Sequence, residues 1–278
     1  MNLFEKIINI LATTGETPAS FGLFHFIFVI ILIISCYFLC KYFKNCSMKT
    51  VNKILLYGWI TMLVLEIYKQ IVFSFNYNDG NPIWDYQWYA FPYQLCSTPL
   101  YVIPLILIIK HAKIKSALIA FMSTFSLFGG LAVMVFPNDV FTSIIGINFQ
   151  TMIHHSLQVL LGIFLLVHNR NNLNKKYYYK SCIVFIITLV IAIILNEVVY
   201  SYFQNNNMSE SFNMFFISRH FDCTLPLLNM IYPNVHFVTF TFIYLFGFIL
   251  ISLIILLVTK GIYNLVIKKE NNIGCTDE

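Results

Sequence analysis

Charge is what this sequence has least of: 10% of its 278 residues are Asp, Glu, Lys or Arg, against about 25% in a soluble domain. With 59% apolar residues and a mean hydropathy of +0.75, water is excluded as the chain's main solvent. The seven cysteines, at positions 36, 40, 46, 96, 182, 223 and 275, include no CxxC pair and no zinc-like spacing, which argues against a metal ribbon or a disulfide-rich scaffold. There is no soluble domain, heptad array or internal repeat. No cleavable leader is expected either, because Glu5, Lys6 and Glu16 precede the first apolar run and no small-residue cleavage pattern follows it,. The net charge of +5 is read as a record of topology, and no nucleic-acid partner is inferred from it.

Present instead are apolar runs long enough to cross a hydrocarbon core of about 30 Å. They read as residues 21–40, 53–75, 91–110, 115–136, 147–168, 181–203 and 237–260. The predicted fold is an all-α, multi-pass bundle of about seven transmembrane helices in the cell membrane. Lys41 to Lys53, Lys110 to Lys115, Arg170 to Lys180 and Lys260 to Lys269 hold 14 of the 17 basic residues on one side. The positive-inside rule makes that side cytoplasmic, with the N-terminus outside and the C-terminus inside. Residues 1–20 form an outer-face segment in which Leu3, Phe4, Ile7, Ile8 and Leu11 suit an interfacial helix,. Residues 21–262 make one membrane domain with a long outer loop at 204–236, and residues 263–278 make a cytoplasmic tail. The outer side is acidic, through Asp79, Asp85 and Asp139, and carries Trp84, Tyr86, Trp88 and Tyr89 as an aromatic belt,. Part of the long loop is apolar enough to re-enter the membrane, where irregular backbone must be buried in protein or line a cavity.

Ionisable and amide groups inside spans are expensive and therefore informative. Span two carries Glu66, Lys69 and Gln70, span three opens with Gln94 and Cys96, span five carries Gln150, His154, His155 and Gln158, and span six carries Asn196 and Glu197. At a rise of about 1.5 Å per residue, Glu66, Lys69, Cys96, His154 and Glu197 fall roughly 8 to 14 Å below the outer helix ends. Four spans therefore place polar groups at one depth, which predicts a hydrated cavity in the outer half of the bundle. Each group also has a plainer reading. Glu66 and Lys69, three residues apart, can neutralise each other, and His154 alone would suit an interhelical hydrogen bond. Cys96 and Cys223 are the cysteines nearest the outer face, so a disulfide between them competes with a nucleophilic Cys96 activated by His154 or His155. Adjacent helical histidines point about 100° apart, which disfavours one metal ion shared by His154, His155, His220 and Glu197. No metal or cofactor is expected.

The stretch Phe91-Pro92-Tyr93-Gln94-Leu95-Cys96-Ser97, with Glu66 before it and His154-His155-Ser156 and Asn213-Met214-Phe215-Phe216 after it, resembles the YwaF-like bacterial integral membrane proteins. These are related to the eukaryotic transmembrane protein 164 acyltransferases. His25 resembles a family histidine near the start of the first span, whereas Arg219-His220 replaces the family's Lys-Pro and Tyr232-Pro233 does not keep its Gly-Pro-Trp ending. The resemblance implies a cysteine-dependent acyltransferase or hydrolase acting on membrane phospholipid, with Cys96 as acyl carrier and a histidine as base. Gln94, Asn196 or Asn213 would then donate to the oxyanion, with Glu66, Lys69, Gln150, Gln158 and Glu197 in support. The alternative is a small-molecule transporter or binding protein using the same cavity. Few polar groups in the inner halves and no repeats speak against it.

Overall fold

The computed structural model describes residues 2–78, 81–138 and 140–274, with side chains for all of these except Asn78 and residues 266–274. Asp79 and Asp139, read above as part of the acidic outer face, lie outside the described residues, as do Cys275 and the side chains of Lys268 and Lys269.

Helix α1 (Leu3–Leu11) starts at a capping box in which Asn2 and Glu5 each accept the other's backbone N–H at 2.8 Å,. Two long apolar helices follow, α2 (Leu23–Phe43) and α3 (Met48–Val72), then an antiparallel hairpin of β1 (Phe75–Asn78) and β2 (Asn81–Trp84). Next come α4 (Pro99–Ile108) and α5 (Ala112–Phe121), which runs through a π turn at Met122–Ser126 into α6 (Leu127–Val135). The chain ends with α7 (Ile145–His168), α8 (Lys175–Asn205), the short α9 (Leu228–Ile231) and α10 (Phe237–Gly274). Six stretches are long and apolar enough to cross a membrane: α2, α3, α5 through α6, α7, α8 and Phe237–Leu265 of α10. The protein is thus an all-α, multi-pass membrane protein.

The expected third span, 91–110, takes a different form. Its apolar helical part is Leu95–Ile108, about 20 Å long at 1.5 Å per residue, and a 3-10 turn at Leu95–Ser97 leads into it. Proline is the physical reason. Pro99 sits at the first position of α4, where no N–H is needed, while Pro104 removes a hydrogen bond inside the helix,. Helix α8 begins earlier than the expected 181, because Asn174 accepts the Tyr177 N–H at 3.0 Å and caps it,. Helix α10 continues through Gly274, past the boundary expected at 262.

Helix α7 is the most centrally packed, with α2, α3 and α6 against it. A column of stacked rings joins the π turn to α8 and α10: Phe125 and Phe185 stand 4.2 Å apart, and Tyr244 and Phe248 4.3 Å apart. By contrast α2 buries only His25 and Leu32 and presents apolar side chains all round, as expected of a helix facing lipid. The long loop at 204–236 folds inward: Phe212, Met214, Phe215, Ile217 and Cys223 are each no more than 2% exposed.

Candidate functional site

Glu66 and Lys69 lie one helical turn apart on α3 and form an ion pair at 2.8 Å,. Gln70 donates to the same Glu66 oxygen at 2.7 Å and to the Ala90 carbonyl at 2.8 Å. The Tyr86 hydroxyl donates to the Gln70 side-chain oxygen at 2.8 Å. Burial pushes the Tyr86 hydroxyl up to about 12, helped by the neighbouring Glu66 and Tyr101, so it stays a donor at any physiological pH. A charged pair inside the bundle is thus wired outward to the aromatic rim.

Cys96 lies in the 3-10 turn before α4, across from α7. The Nε2 of His154 stands 3.0 Å from the Cys96 carbonyl oxygen. A carbonyl only accepts, so Nε2 carries the proton and Nδ1 of the neutral ring is a bare lone pair. That Nδ1 is buried without a hydrogen-bond partner. His155 uses Nδ1 to reach the Thr151 carbonyl at 2.7 Å, and its ring lies 5.5 Å from that of His154. Lys69 and Glu66 are electrostatic neighbours of the Cys96 thiol and of His155, and Lys69 also of His154. The structure therefore joins Cys96, His154 and His155 by direct contact, with the Glu66–Lys69 pair acting on them electrostatically. Glu66 and His154 are 5% and 3% exposed, whereas Cys96 keeps some accessible surface. Cys96 and Cys223 are both free thiols.

Two residues that the sequence reading passed over set this geometry. A Cβ at Gly129 on α6 would stand 3.1 Å from Leu95 Cγ and 3.4 Å from the Cys96 nitrogen. At Gly130 it would stand 3.1 Å from the His155 carbonyl oxygen. The Gly-Gly step lets α6 press against both the Cys96 turn and α7, and that dipeptide inside a span was the available signal. Below it, Gln158 donates to the Ser126 carbonyl at 2.7 Å, with Ser126 Oγ at 3.1 Å. Ser126 ends the π turn and leads into α6, so the Gln158 amide ties α7 to that junction. Gln150 is buried, its side-chain oxygen accepting from the Thr151 hydroxyl at 3.4 Å.

The amides expected to serve an oxyanion are otherwise engaged. Gln94 donates to the Asn213 carbonyl at 2.9 Å and accepts the Phe215 N–H at 2.7 Å. Asn196 donates to the Met214 carbonyl at 3.0 Å and accepts the Met214 N–H at 2.7 Å. Asn213 donates to the Asp222 carbonyl at 3.0 Å, and Tyr244 donates to the Phe215 carbonyl at 2.8 Å. Together these clamps satisfy the buried backbone of the loop and hold Phe215 and Phe216 at φ 57° and 54°, left-handed conformations that cost about 1 to 3 kcal/mol each in an aromatic residue.

Glu197, to which the sequence assigns the same depth, is engaged elsewhere. Its carboxylate accepts from Arg219 at 2.7 Å and stands 3.2 Å from His220 Nε2, and the His220 ring stacks on Tyr200 at 3.5 Å. Among the described residues no three His, Cys, Asp or Glu side chains converge as metal ligands.

No curated protein and no solved structure matches this chain. A family model, the TMEM164 family, matches residues 20–260, a span that takes in Cys96, both histidines and the clamped loop. The chain belongs to the TMEM164 family.

Proposed function

We propose that the protein is a cysteine-dependent acyltransferase of membrane phospholipids. The observation that carries this reading is a partly accessible Cys96 whose own carbonyl fixes His154 in the tautomer with a bare, buried Nδ1. His154 takes the thiol proton as the sulfur attacks an ester carbonyl. A C–S bond forms, the ester C–O bond breaks, and the proton passes to the departing lysolipid oxygen. The thioester then passes its acyl group to an acceptor hydroxyl, or to water when the enzyme acts as a hydrolase. Lys69, paired with Glu66 and acting electrostatically on the thiol, supplies a counter-charge for the sulfur anion in a site of low dielectric. The polar layer becomes a cavity in the outer half of the bilayer when a lipid enters.

The reading includes seven crossings of the cell membrane, with Leu95–Ile108 and the residues before it making the third. The N-terminus is outside and the C-terminus cytoplasmic, which leaves Lys6 and Arg219 as the outer basic residues and Lys69 inside the bundle,. Comparing the membrane lipids of cells that contain the protein, lack it, or carry Cys96→Ser tests the activity. An acyl-chain distribution that changes with the protein and reverts with Cys96→Ser is expected. Unchanged lipids together with altered solute uptake would replace the reading with the transporter.

A further inference from the structure

On the outer rim, separate from Cys96, Trp84, Asp85, Tyr86, Trp88, Met208 and Glu210 enclose an open cleft of about 440 Å³. Its chemistry is one-sided. Two carboxylates line it and no Lys, Arg or His does. Asp85 accepts one hydrogen bond, from Asn76 at 3.3 Å, and neither Asp85 nor Glu210 has an ion-pair partner among the described residues. The other lining residues are three aromatics and a methionine. Tyr86 and Trp88 meet edge to face at 5.3 Å and 83°, and Trp88 is braced from behind by Phe203 at 5.2 Å.

We infer that this cleft binds an organic ammonium cation. Such a cation is large, weakly hydrated and attracted both by the faces of Trp and Tyr and by carboxylates at the rim. A hard divalent metal would want about six oxygen ligands, and the cleft supplies two carboxylates. The hairpin holds one wall in place: Phe75 pairs with Trp84, the two rings meet edge to face at 5.5 Å, and the Asp85 N–H donates to the Ser74 carbonyl at 3.0 Å. The site stands apart from the thiol chemistry, although Tyr86 joins it to Glu66 through Gln70. The cation is either the head group of a lipid in the outer leaflet or a soluble quaternary amine.

Two of the three tryptophans, Trp84 and Trp88, line the cleft, and Trp59 instead donates to the Leu100 carbonyl inside the bundle. Intrinsic fluorescence therefore reports on the site. The full chain is reconstituted in phosphatidylglycerol vesicles and titrated with tetramethylammonium chloride, with potassium chloride at equal ionic strength as reference. A saturable change is expected with tetramethylammonium alone, weakened at least about tenfold by Asp85→Asn with Glu210→Gln and unaltered by Cys96→Ser. Loss of the response when half the lipid is phosphatidylcholine identifies a lipid head group as the occupant, and persistence identifies a soluble amine. Equal responses to potassium and tetramethylammonium, or a response indifferent to the two isosteric substitutions in a protein with unchanged melting temperature, would overturn the inference.

Discussion

His154 combines the two properties of a poised base, a fixed tautomer and a free nitrogen. His154→Ala is expected to lower acyl transfer by about 10²- to 10⁴-fold, the usual worth of a positioned base, with the protein still folded by thermal melting. Wild-type turnover in that variant would remove His154 from the chemistry. Gln158 serves the packing instead, because Gln158→Leu removes the side-chain donor to the buried Ser126 carbonyl, at a cost of about 0.5 to 1.5 kcal/mol,. A lower melting temperature in detergent is the expected result, and an unchanged one would mean that the Ser126 contact contributes nothing. The Glu66–Lys69 pair and the contact of His154 with the Cys96 carbonyl join residues to which helical rise assigns one depth in the sequence. Depth is one coordinate only. Glu197 shares it and pairs with Arg219 and His220 instead, since its direction around α8 depends on packing that no single span encodes. The same limit hid the roles of Gln94 and Asn196, whose amides read as oxyanion donors until the path of the loop was known.

Among the elements, the long apolar helices were plain from hydropathy, and their ends shifted by a few residues where caps such as Asn174 lengthen them. The broken third span was foreshadowed by Pro99 and Pro104, whereas the π turn at Met122–Ser126 carries no comparable signal. The clamped loop is the element most open to test. Asn196→Leu leaves the buried Met214 N–H without a partner and its carbonyl with only the Ile217 N–H at 3.4 Å, which favours release of the segment. Cys223, 2% exposed in the docked loop, should then react with N-ethylmaleimide several-fold faster. An unchanged rate would show that the clamp is not what holds the loop. Gly129→Val tests the packing beneath the thiol: its side chain has no room against Leu95 and the Cys96 backbone,. Acyl transfer should fall more steeply than melting temperature. Full activity would mean that the Cys96 turn tolerates displacement.

For the whole molecule, orientation decides which leaflet the thiol serves. In a background without native cysteines, an impermeant reagent applied to intact cells should label a cysteine placed at Asn206 and spare one placed at Asn172, both exposed positions. The reverse pattern would put the site in the cytoplasmic half and invalidate the outer-leaflet lipid as substrate. The central claim, that Cys96 carries the acyl group, is tested most directly by mass spectrometry of the purified protein after incubation with a phospholipid of defined acyl chain. The account predicts an adduct of that acyl mass on the peptide containing Cys96, removed by neutral hydroxylamine as a thioester is and absent from Cys96→Ser. An active protein in which Cys96 never carries the acyl mass, or in which Cys96→Ser turns over as fast as the wild type, would contradict it.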